Sequence, residues 1–217
     1  MFHFRTVGKT ACLAIFLLGI VYAITTLLGL LSLESPYDPI GDPYFTIMEI
    51  LTILLASLMV IATVAIHAYA SPEHKVYSLA AVCFMVIMAC ITSIVHFVIL
   101  AVGHQIKYEE TAGFSFLLSF RWPSVAYALD ILAWDWFFAL SILVAAPVFR
   151  TGKLEKMART LMTICGILSL AGLIGVPLAN MQIRNIGIIG YAVIAPVVFL
   201  LIGIILGRSN QVESNGQ

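Results

Sequence analysis

Apolar residues run along this chain in long blocks separated by short polar connections. Few blocks show the regular alternation of wet and dry faces that a soluble helix needs. Six such blocks lie at about residues 10–32, 44–70, 77–103, 123–149, 160–180 and 186–207. Each is long enough to cross a hydrocarbon layer of about 30 Å as a helix. The pattern predicts an all-α fold: a polytopic transmembrane helical bundle of six spans forming one integral membrane domain across residues 1–217. Residues 208–217 are expected to form a polar, disordered tail.

The connections differ in character. LESPYDPIGDP, with Glu34, Asp38 and Asp42 among prolines and a glycine, reads as a turn-rich acidic loop. SPEHK is short enough to make the second and third spans antiparallel neighbours. GHQIKYEETAGFSFLLSFRW is the longest, and its Phe-rich second half, ending at Arg121 and Trp122, suits either a short helix lying at the membrane surface or the aromatic belt of the fourth span. RTGKLEKMAR gathers four basic residues into a loop, and MQIRN is expected to be only a tight turn. Pro177 and Pro196, each following glycines, are candidate kinks in the fifth and sixth spans.

Composition agrees with the pattern: 62% of residues are hydrophobic and 10% charged, against about 25% charged in a soluble domain. The formal net charge of zero argues against a nucleic-acid partner. The basic N-terminal start precedes an apolar run longer than the core of a signal peptide, so the first block is expected to stay as a span. Charge distribution orients the bundle. With six spans, one side holds Arg5, Lys9, Lys75, Arg150, Lys153, Lys156, Arg159 and Arg208, and the other only Lys107, Arg121 and Arg184. The positive-inside rule then places both termini in the cytoplasm, with the cell membrane the expected location. The four cysteines fall inside apolar spans and read as packing residues.

Charge within the spans is the remaining signal, because a carboxylate in hydrocarbon costs at least about 2.5–3.5 kcal/mol and usually faces an interior cavity or a partner. The rise of about 1.5 Å per residue puts Glu49, His96 and Asp130 in one layer, about 7–11 Å below the outer boundary. Glu49, Thr52, Ala56, Met59, Thr63 and His67 form a stripe on the second span that could continue a polar path towards the cytoplasm. Thr92 shares a face with His96, and Tyr127 with Asp130. Asp135, about 140° around an α-helix from Asp130 and deeper, is expected to point elsewhere and to need its own partner. If both acids avoid lipid, the fourth span must be the most enclosed.

The candidate ligand- or proton-binding cluster is therefore Glu49, His96, Asp130, Asp135, Tyr127, Thr92 and His67. The bilayer is the evident partner, and an unidentified small molecule or ion is the ligand of a binding, transport or sensing protein. One alternative is a metal-dependent intramembrane hydrolase with Glu49, His96 and Asp130 as ligands. Another is a membrane subunit or scaffold whose polar layer merely holds helix register. No P-loop, GxSxG, HExxH or dinucleotide fingerprint is present, so no cofactor is expected and the balance leans away from an enzyme. Gly203 and Gly207 form a GxxxG that permits close contact with another helix, either within the chain or in a homo-oligomer.

Overall fold

In the computed structural model, which describes residues 3–35, 38–103 and 112–214, the long apolar blocks are helices and no strand occurs among the described residues. Six helices are long and apolar enough to cross a membrane: Phe4–Leu31, Tyr44–Tyr69, Pro72–Val102, Val125–Val148, Gly152–Gly175 and Met181–Arg208. The first span is α1 (His3–Leu31) and the second α2 (Tyr44–Tyr69). The third is α3 (Lys75–Val98) with a wider π-helical extension, Ile99–Gly103. A short helix, α4 (Ala112–Leu118), precedes the fourth span, in the Phe-rich half of the long connection. The other half of that connection, with Lys107, lies outside the described residues.

The fourth span is composite: α5 (Val125–Ile131), a π-helical segment Leu132–Phe138, and α6 (Ala139–Ala145). The fifth is α7 (Gly152–Gly172). The sixth comprises α8 (Met181–Ile188), a π-helical segment Ile189–Ile194, and α9 (Ala195–Ser214). Consecutive spans pack side by side and α9 returns to α1, so the six close into a ring. The fourth span is the most enclosed, with 61% of its apolar window buried against 22% for the first.

Several boundaries differ from the sequence reading, each for a local reason. α7 begins at Gly152 rather than near residue 160, so Lys153, Lys156 and Arg159 lie on a helix and not in a loop. Glu155 secures this start: its Oε2 accepts from the amides of Arg150 and Thr151 at 3.0 and 2.7 Å, while Oε1 accepts from the Tyr69 hydroxyl. A carboxylate among free amides at a helix N-terminus is stabilising. Gly152 permits the entry with a φ of +84°.

The fifth span ends in a short 3₁₀ turn, Leu173–Gly175, and the chain turns immediately after it. Pro177 therefore sits in the turn, not at a kink. MQIRN, in turn, is helix and not turn. Asn180 caps α8 by accepting from the amides of Gln182 and Ile183, the role for which Asn is favoured. Pro196 follows the π segment of the sixth span; its missing N–H deprives an upstream carbonyl of its helical partner, and such breaks accompany widened turns. Helix α9 continues through Ser214, into the stretch that the composition assigns to a polar tail.

Lipid tails are as apolar as leucine, so burial of apolar area does not by itself hold spans together; small residues and interhelical hydrogen bonds do. Both are present. Ser141 on α6 donates across to the Ala81 carbonyl on α3 at 2.7 Å. Gly8 lets α1 approach α2 and α9, for a Cβ there would stand 2.4 Å from the Ala65 Cβ and 2.8 Å from Leu206. Gly203 and Gly207 face Cys12 and Lys9 of α1, so the GxxxG serves a contact within the chain.

Gly8→Ala tests this packing. Alanine gains about 1 kcal/mol of helix propensity, but overlap with a Cβ fixed to the neighbouring backbone costs about 1–3 kcal/mol. We expect a net loss, read as a lower unfolding midpoint in detergent; a gain would mean that α1 does not rest on Ala65.

Candidate functional site

The polar residues of the second, third, fourth and sixth spans meet at the end of the bundle opposite the termini. His96, near the end of α3, stands between two carboxylates. Its Nδ1 lies 2.8 Å from Glu49 Oε2 on α2, and its Nε2 lies 3.3 Å from Asp130 Oδ1 on α5. All three are withdrawn from solvent, at 3%, 4% and 7% exposure for Glu49, His96 and Asp130. Phe120 lies against the imidazole with ring centroids 5.5 Å apart, and Tyr127 meets Phe120 edge-on. Ser124 caps α5 by accepting from the Tyr127 amide, which fixes the start of the helix carrying Tyr127 and Asp130.

Arg184 completes the arrangement, and the sequence reading misplaced it. Counted there as a loop cation, it lies inside α8 and is 2% exposed. Its Nη2 is 3.2 Å from Asp135 Oδ2 and 3.9 Å from Asp130 Oδ2. Its Nη1 reaches the Tyr127 hydroxyl at 3.4 Å, and the guanidinium lies over the rings of Tyr127 and Tyr191 at 5.2 and 5.8 Å. Trp134 packs on Tyr191 behind it. Asp135 does have a partner of its own, but shares it with Asp130.

The reason lies in the backbone. The 140° separation assumes α-helical geometry, whereas Leu132–Phe138 is π-helical, with hydrogen bonds from i to i+5. A wider turn brings residues five apart back towards one side. The signal for Arg184 in the sequence was Asn180, a capping residue directly ahead of MQIRN, which makes that stretch the first turn of a helix.

Not every candidate joins this group. His67 lies at the other end of α2, about 27 Å along the helix from Glu49; its Nδ1 contacts Ser78 Oγ at 2.8 Å, and its carbonyl accepts from Lys75. Thr92 is buried, but its hydroxyl faces Met88 Sδ at 3.5 Å. The stripe between Glu49 and His67 is not a polar path in this structure. Thr52 and Thr63 donate to carbonyls of their own helix, and Ala56 and Met59 belong to an apolar core with Met85, Met88 and Phe138. Tyr22 of α1, absent from the sequence reading, borders the layer within electrostatic reach of Glu49 and Asp130.

Chemically, this is a chain in which acidic and basic side chains alternate: Glu49, His96, Asp130, Arg184 and Asp135. Each His96 contact requires one proton, on the ring nitrogen or on the facing carboxyl. A proton added at one edge of the ring can therefore leave from the other. The same geometry speaks against the metal alternative. Glu49 and Asp130 lie on opposite edges of the imidazole and do not converge on a common point, and no group of three His, Cys, Asp or Glu side chains among the described residues could hold a metal ion.

No family model, curated protein or solved structure matches this chain.

Arg184→Gln removes the shared cation from two buried carboxylates, which should cost about 3–5 kcal/mol. Arg159→Gln, at an exposed position on α7, should change stability by no more than about 0.5 kcal/mol. Equilibrium unfolding of both variants in detergent checks the contrast; equal effects would contradict a buried Arg184.

Proposed function

We propose that the chain is a multi-pass protein of the cell membrane, with both termini cytoplasmic, that takes a proton into this buried network and couples it to the binding, transport or sensing of a small molecule or ion. The observation that carries this reading is His96 held between Glu49 and Asp130 through both ring nitrogens, away from solvent. A buried imidazole finds a partner for each ring nitrogen in a packing contact as well; what is particular here is that both partners are carboxylates. A ring using both nitrogens on two carboxylates has the connectivity of a proton relay, and ionisable groups inside membrane bundles mark ion and proton routes.

Two further features fit. The apolar core of Met59, Met85, Met88 and Phe138 lies between the network and the termini-bearing end, as expected of a site closed to one side in this conformation. The opposite end loses Arg184 from its loop cations because that residue is buried, which sharpens the charge asymmetry behind the orientation.

In liposomes holding a pH-sensitive dye, an imposed inside-negative potential should drive proton entry through the wild-type protein. Asp130→Asn and His96→Gln should each reduce that flux by about 100-fold or more, the range for losing a positioned proton-transfer group. Wild-type flux equal to that of empty liposomes, or undiminished in both variants, would leave the register-holding scaffold as the better account. For orientation, a tag at either terminus should resist protease added to intact cells and become accessible after lysis.

A further inference from the structure

Asp135 is the most deeply buried member of the network, at 0% exposure, and neither of its carboxylate oxygens has a hydrogen-bond partner among the described residues. Oδ2 has the ion-pair contact with Arg184, whereas Oδ1 is turned into a niche between the fifth and sixth spans. That niche exists because two residues have no side chain. A Cβ on Gly187 would stand 1.8 Å from Oδ1, and one on Gly172 would stand 2.8 Å from it.

The surroundings of Oδ1 are rich in acceptors. The same Gly187 position lies 3.4 Å from the Ser169 carbonyl oxygen, and the Gly172 position lies 2.8 Å from the Arg184 carbonyl oxygen. The nearby Gly187 amide belongs to α8, where the helical ladder uses it. An ionised oxygen among carbonyl oxygens, without a donor, is left uncompensated at a cost of several kcal/mol. A carboxylic acid O–H there could donate to a carbonyl, each of which keeps a second lone pair.

The charged and titratable groups facing Asp135 point the same way. From α5 come Asp130 and Tyr127, from α8 Arg184, and from the π segment of the sixth span Tyr191. His96 reaches it only through Asp130. One guanidinium thus serves two carboxylates. Two acids sharing one cation in a low-dielectric site favour holding one of the two as the neutral acid. Asp130 has His96 as a second partner, while among the described residues Asp135 has Arg184 alone. A metal cation could also use carboxylate and carbonyl oxygens, but the glycine backbones press on Oδ1 too closely on that side. A proton needs no volume.

We propose that Asp135 is the proton-holding residue of the network, carrying a carboxylic acid hydrogen at Oδ1 in the Gly172–Gly187 niche, and that Arg184 is its movable counter-ion. With Asp135 neutral, its Oδ2 still lies 3.2 Å from the guanidinium, and Arg184 has the charge of Asp130 at 3.9 Å as its ionic partner. Moving the proton from Asp135 to Asp130 leaves the total charge unchanged and makes Asp135 the ionic partner of Arg184. The proposal rests on the proton-coupled reading above but names where the proton resides.

Infrared difference spectra of the protein in nanodiscs should show the C=O band of a protonated carboxyl at neutral pH. The band should persist in Glu49→Gln, weaken in Asp130→Asn, where Arg184 is left with a single acid, and be lost in Asp135→Asn. Should Asp135→Asn fail to fold, the wild-type chain can be read directly. Trp134–Asp135 is the only Trp–Asp step in the sequence, so pairing labelled Trp carbonyl with labelled Asp selects Asp135 by NMR, and its side-chain carbon should show the shift of an acid. An ionised Asp135, or a band that survives Asp135→Asn, overturns this assignment even where proton flux still depends on Asp130 and His96. Absence of flux with Asp135 protonated would overturn the transport reading and leave the assignment standing.

Discussion

The constraint on which the rest of this bundle depends is the burial of Arg184. A guanidinium cannot be discharged by losing a proton and must meet carboxylates wherever it is placed. Its position in α8 therefore ties the sixth span to Asp130 and Asp135 on the fourth, and through His96 and Glu49 to the third and second. Four of the six spans are joined by one line of alternating acidic and basic side chains. Such an arrangement contributes less to net stability than its contacts suggest, because desolvation offsets the attraction, but it strongly penalises any packing that separates the partners. It thus selects one register among many that would bury similar apolar area.

Backbone irregularity collects around the same network. The π-helical segments at Ile99–Gly103, Leu132–Phe138 and Ile189–Ile194 each follow or contain one of its members: His96 precedes the first, Asp135 lies in the second, and Tyr191 lies in the third. Widened turns re-aim side chains that a regular helix would direct elsewhere, and they recur at functional sites. The glycines of the fifth and sixth spans do related work. Gly172, Gly187 and Gly190 remove the Cβ atoms that would collide with Asp135 and with the backbone and side chain of Ser169. The glycines that in the sequence accompany candidate kinks form a close crossing that admits the Asp135 side chain.

Away from this end the interior is mostly apolar, and Thr52 and Thr63 on α2 donate to carbonyls of their own helix. The structure therefore separates two polar regions, the network around His96 and the smaller contact of His67 with Ser78. A proton crossing between them would need the Met-rich layer to open. Methionine suits such a layer because its unbranched side chain repacks at low cost.

The sequence by itself determined the class and most of the frame. Uninterrupted apolar length is a one-dimensional property, so six membrane-length helices, their short connections and the common depth of Glu49, His96 and Asp130 could all be read by counting residues. Which faces meet could not be counted. The relation between Asp130 and Asp135 depends on a π-helical stretch that propensity does not announce, and the 100° rule gives the wrong angle there. Arg184 read as a loop residue because a short polar interval between apolar blocks resembles a turn until its asparagine is recognised as a helix cap. The stripe from Glu49 to His67 read as a path because periodicity shows that residues share a face, not whether their hydroxyls bond outward or to their own backbone. What brings Arg184 to Asp130 and Asp135 was decided between spans, for in a bilayer a buried charge takes its position from the partner it must meet.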